Sequence, residues 1–105
     1  MAMTPWQVTT NRKEQRRLGK TGEELGELMA VVGRIGIQGI DEIDPSSGAT
    51  NKDRLYDEIA DVLAQIKLLF DFYKLDANRI SARQTAKIES MHEWDRLVEP
   101  DDTDC

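Results

Sequence analysis

Leu55, Ile59, Val62, Ile66, Leu69 and Tyr73 recur at alternating steps of four and three. That spacing lays one apolar stripe along an α-helix. A helix with such a stripe must bury it against another helix. The chain offers a candidate upstream, where Leu18, Leu25, Leu28, Val32 and Ile35 follow steps of seven, three and four. No segment alternates β-branched and polar residues between turn signals, so the expected fold class is all-α.

Boundary residues divide the pattern into three helices. Asn11 followed by Glu14 has capping-box spacing and opens a helix running to about Ile37. Gly39, Pro45, Ser46, Ser47 and Gly48 mark residues 38 to 52 as a loop. Asn51 or Asp53 can cap the second helix, which ends near Lys74–Leu75. Asp76 can cap a third over residues 77 to 97, with Ile80, Ile88, Met91 and Trp94 inward. Residues 1 to 10, with Pro5 and Thr9–Thr10, lead into the first helix.

The chain has 105 residues, which is the size of one domain. Two wide stripes and a weaker third cannot enclose one another, so a second copy is expected to complete a four-helix bundle. Gly22, Gly26 and Gly33 lie together on the first helix, away from the leucines. Each costs roughly 1 kcal/mol of helix propensity against Ala, which suggests close approach of a helix or ligand there.

Charge excludes several classes. The formal net charge is −6, against general nucleic-acid binding. No apolar run approaches the roughly 20 residues of a membrane span, and no signal-like stretch opens the chain, so a cytoplasmic setting is expected. Cys105 is the only cysteine and His92 the only histidine. Thiolate zinc sites and multi-histidine chemistry are therefore out of reach. Residues 99 to 105 read as a solvated acidic tail. Residues 10 to 20 carry five basic side chains and Glu14, a cluster that is either a solvated helix face or a phosphate-attracting rim.

The chemistry lies in paired acids. KTGEELGEL sets Lys20, Glu24 and Glu27 on one flank beside the leucine stripe, with Glu23 off that flank. DRLYDEIADVL sets Glu58 and Asp61 three apart, with Arg54 one turn earlier. Antiparallel packing through the stripes would bring Glu24, Glu27, Glu58 and Asp61 together. Four carboxylates repel unless a cation sits among them, and hard oxygen donors favour Mg²⁺ or Mn²⁺. Lys20 and Arg54 would then meet phosphate oxygens of a polyphosphate substrate.

These two motifs together resemble the EExxE…ExxD signature of the MazG-like all-α nucleoside triphosphate pyrophosphatases, which phosphoribosyl-ATP pyrophosphatases share. The resemblance covers roughly residues 11 to 75, and more weakly to about residue 92. It implies a helical bundle completed by dimerisation, with dimers often pairing further. It also implies Mg²⁺-dependent cleavage of a nucleotide between its α and β phosphates. By position, Glu24, Glu27, Glu58 and Asp61 would be the metal ligands and catalytic residues. Lys20 and Arg54 would contact phosphate, as would Lys87 in RQTAKIES, where Thr85 and Ala86 replace an Asn common in the family. Phosphoribosyl-ATP is the alternative substrate. A non-catalytic helical dimer that binds a nucleotide or a protein is the alternative from another class.

Overall fold

A computed structural model describes residues 6 to 99. Three helices follow one another: α1 (Arg12–Gln38), α2 (Asn51–Tyr73) and α3 (Ala77–Val98). Among the described residues the only β pairing is an isolated antiparallel bridge between Ile43 and Thr50. No described helix is long and apolar enough to cross a membrane. Most of the acidic tail, Pro5 and Cys105 lie outside the described residues; Glu99 ends α3 with its amide on the Asp95 carbonyl.

Side chains at the helix ends explain the boundaries. Asn11 accepts from the Glu14 amide at 3.1 Å and starts α1. Gly39, at φ 92°, stops it and returns its amide to the Ile35 carbonyl. At α2 the cap is neither Asn51 nor Asp53. Thr50 Oγ1 accepts from the Asp53 amide, while Asp53 Oδ2 accepts from the Thr50 amide. This reciprocal pair places the cap one residue earlier than expected and frees Asn51 for another task. Lys74, at φ 52°, ends α2 in the left-handed conformation. Asp76 starts α3 by accepting from the amides of Asn78 and Arg79.

The chain divides into two units, residues 1–73 and 74–105. In the first, α1 and α2 form an antiparallel hairpin. Tyr73 donates to Glu14 at 2.7 Å near the open end. Arg17 Nη1 donates to Gln65 Oε1 at 2.9 Å one layer further in. At the loop end, Asn51 Nδ2 donates to the Gly39 carbonyl at 2.8 Å.

The hairpin seam differs from the expected one. Thr21, Glu24 and Val31 are the buried residues of α1, and Asn51 and Val62 those of α2. Leu28, Ile35, Leu55 and Leu69 are half-buried beside them, whereas Leu18, Leu25, Val32, Ile59 and Ile66 remain substantially exposed. Successive helix residues turn by about 100°, so Leu18, Leu25 and Val32 stand some 80–120° from Glu24. Leu18, Leu25 and Val32 thus flank the seam, while Leu28 and Ile35 of the same stripe, within about 40° of Glu24, help to form it. Val31 and Val62, at 6% and 7% exposure, are the only buried apolar residues among those described. A Cβ on Gly22, Gly26 or Gly33 would meet open space, so no close approach within this chain accounts for these glycines.

The second unit holds α3, and none of its residues is buried. Ile80, Ile88, Met91 and Trp94 were expected inward and are exposed. A unit of one helix has no second surface to cover them.

Candidate metal centre

Both helices carry their acids at the seam. Glu24 is buried, Glu58 is half-buried, and Glu27 and Asp61 sit on the rim. Carboxylate oxygens of Glu24, Glu58 and Asp61 lie within 4.8 Å of one another, and so do those of Glu23, Glu24 and Glu27. Glu24 belongs to both groups and joins them. Of the four acids expected to converge, Glu24, Glu58 and Asp61 meet in one group, and Glu27 joins Glu24 in the other. The origin is the antiparallel register, which opposes residue 24 with residues 58 to 61.

Two oxygens lack a hydrogen-bond partner among the described residues: Glu24 Oε2 and Glu58 Oε2, both closed off from solvent. Buried carboxylate oxygens in this condition are costly. Glu58 responds with a raised pKa. Burial contributes most, followed by the charges of Glu27, Asp61 and Glu24 and a carboxyl contact with Glu27. An all-oxygen, net-negative set with two unpartnered oxygens matches what a hard divalent cation requires. The residues fit Mg²⁺ or Mn²⁺.

The basic residues lie in three different settings. Lys20 Nζ is 2.5 Å from Glu23 Oε1 and 3.5 Å from Glu24 Oε1, beside the acids. Its pKa is raised, chiefly by the hydrogen bond to Glu23. Glu23, expected off the shared flank, is thus tied to the cluster through Lys20. Arg54 is engaged elsewhere, with Nη2 2.6 Å from Asp44 Oδ2 in the loop. Its Nε is inaccessible and unpartnered. Lys87 is an exposed residue of α3 in the second unit, as are His92 and Trp94.

Arg17, one of the basic residues of the 10 to 20 cluster, packs at the seam. It is half-buried, held by Gln65, and forms no ion pair among the described residues. Comparison with protein families, with curated proteins and with solved structures finds no match for this chain.

Proposed function

We propose that the protein is a Mg²⁺-dependent nucleotide pyrophosphohydrolase, converting a nucleoside triphosphate to its monophosphate and pyrophosphate. The observation that carries this reading is the pair of unpartnered oxygens, Glu24 Oε2 and Glu58 Oε2, inside a converged carboxylate cluster. The resemblance of KTGEELGEL and DEIADVL to the MazG-like signature supplies the reaction class.

Glu24, Glu27, Glu58 and Asp61 would hold the ion, with Mn²⁺ as a substitute. When bound, Mg²⁺ supplies positive charge to phosphate oxygens and lowers the pKa of a water. The chain's own residues do the rest. Glu24 and Glu58, held in the seam, fix the position of the negative charge. Lys20, at the edge of the cluster, is placed to donate to phosphate oxygens once they displace Glu23 from it. Arg54 and Lys87 have phosphate roles by resemblance; in Arg54 that role requires release from Asp44. A homodimer, or a dimer of such dimers, would cover the apolar flanks left open on α1 and α2.

Incubation with each nucleoside triphosphate and Mg²⁺, with separate assays for pyrophosphate and orthophosphate, tests the reading. Pyrophosphate and a monophosphate are expected in equal amounts. Orthophosphate as the product, or no turnover of any nucleotide or of phosphoribosyl-ATP, would sink it. Calorimetric binding of a non-hydrolysable nucleotide without turnover would instead indicate a non-catalytic binder.

A further inference from the structure

The loop between α1 and α2 folds back over the helix ends and leaves a cleft of about 310 Å³. Arg34 and Gln38 of α1, Asn51 of α2, and Glu42, Ile43 and Pro45 of the loop line it. Its framework is built from hydrogen bonds. Asn51 is 3% exposed and donates its amide to the Gly39 carbonyl and to Gln38 Oε1. The Asn51 and Lys52 amides donate to the Glu42 and Ile40 carbonyls. Asp44 also lines the cleft and accepts from Ser46 and Arg54.

What remains free in the cleft is a mixed set of donors and acceptors. Arg34 forms no ion pair or side-chain hydrogen bond among the described residues, and neither does Glu42. The Gln38 amide nitrogen donates to no described group, and Asn51 Oδ1 accepts from none. Ile43 and Pro45 add apolar surface. A guanidinium and a carboxylate in one cleft suit a neutral, flat ligand that carries acceptors on one edge and donors on another. Among the common nucleobases, only guanine sets two adjacent N–H donors, N1–H and N2–H₂, against a single carboxylate. Its O6 and N7 accept from an arginine fork.

We propose that this cleft is a nucleobase subsite that selects guanine, with Glu42 accepting from the N1/N2 edge and Arg34 donating to O6 and N7. Its link to the acids rests on the pyrophosphohydrolase reading. Seven residues separate Arg34 from Glu27, and seven separate Asn51 from Glu58. That is about 10 Å along each helix, the reach from base to phosphates in a nucleotide. Base and phosphate chain would lie along one groove of the hairpin.

The test uses the whole ¹⁵N-labelled chain with guanosine, adenosine, cytidine and uridine in EDTA, followed by the amides of Glu42, Ile43 and Asn51. Guanosine should shift these amides at about tenfold lower concentration than the other three. Glu42→Gln, checked for folding by its melting curve, should lose most of that preference, and Arg34→Ala should weaken guanosine binding. Tighter binding of another nucleoside, no shift with any, or a preference unchanged in Glu42→Gln overturns the proposal. Guanosine binding at Glu42 without pyrophosphate release from any nucleotide leaves the subsite standing and removes the hydrolase reading. Equal pyrophosphate release from all bases without nucleoside binding does the reverse.

Discussion

Arg54 Nη2 donates to Asp44 Oδ2 at 2.6 Å, so the loop is fastened to the turn of α2 just before Glu58. Asp44 also accepts from the Ser46 hydroxyl and amide, at 2.7 and 2.8 Å. These bonds, Ser46 first and Arg54 after it, lower its pKa to about 2. A lowered carboxylate pKa stabilises the fold above the unfolded value of 3.8, and the benefit is lost as pH falls through about 2.

Asp44→Asn should therefore loosen the loop at neutral pH. Hydrogen exchange at the Gly48 and Asn51 amides should speed up severalfold, while the helix interior stays protected. The parent should show the same loosening only in acid, between pH 3.8 and about 2. Equal exchange in parent and variant at pH 7 would show that Arg54 does not hold the loop.

Glu58 titrates in the opposite sense. Its pKa is raised from 4.5, by burial first and then by Glu27, Asp61 and Glu24. The protonated form is favoured by folding, so this contribution is full below pH 4.5 and is lost as pH rises through the raised value. Metal-free protein should melt lower as pH climbs through that range. Glu58→Gln should abolish this slope and melt as high as the parent, or higher, at pH 7. Mg²⁺ at tenfold over its dissociation constant should stabilise the parent by about 1.4 kcal/mol per site, and the variant by less. Glu89→Gln on α3 serves as a charge-matched control. A strongly destabilised metal-free Glu58→Gln would make Glu58 a structural residue.

Much of this was legible in the sequence, for identifiable reasons. Helix ends follow local chemistry, so Asn11, Gly39 and Asp76 stand where their side chains or glycine freedom are needed. The cap of α2 was displaced by one residue because Thr50 and Asp53 satisfy each other, which leaves Asn51 to hold Gly39. The acid cluster was readable from helix spacing plus an antiparallel pairing. The seam was readable only in part. Periodicity finds the most apolar face, and Leu28, Ile35, Leu55, Val62 and Leu69 do lie in the contact, yet Thr21, Glu24 and Asn51 share it while Leu18, Leu25 and Val32 flank it. The engagement of Arg54 by Asp44 depends on a loop path that spacing does not encode.

Removing the Thr50 hydroxyl tests the corrected cap. Thr50→Ala should destabilise by about 1 kcal/mol, because the Asp53 amide loses its acceptor. Asp53→Asn should cost less, since the Thr50 hydroxyl still accepts from the residue 53 amide. The reverse order in urea melts would return the cap to Asp53.

The exposed flanks predict self-association. Met29 at 72% and Leu63 at 59% exposure stand on the open sides of α1 and α2. Faces of this kind mark interaction surfaces. Sedimentation at micromolar concentration should find a dimer or tetramer, and Leu63→Lys should shift it toward monomer. A well-folded parent monomer would remove the bundle reading.

Glu24 is shared by both carboxylate groups, whereas Glu23 belongs to one and Asp61 to the other. The three residues should therefore respond differently to loss of charge. Glu24→Gln removes a buried ligand common to both groups, so hydrolysis should fall by orders of magnitude, and Mn²⁺ binding, counted by electron paramagnetic resonance, should nearly vanish. Asp61→Asn leaves Glu24 and Glu27 in place and should weaken Mn²⁺ binding with a large loss of turnover. Glu23 is already paired with Lys20 at 2.5 Å. Glu23→Gln removes the partner that phosphate must displace from Lys20, so turnover should change by no more than about tenfold, the range of one charge-assisted hydrogen bond. The change should appear in KM before kcat, because Lys20 is assigned to phosphate binding. Equal losses for Glu23→Gln and Glu24→Gln would mean that the group around Glu23 holds the ion. Full turnover in Glu24→Gln would mean that neither group does.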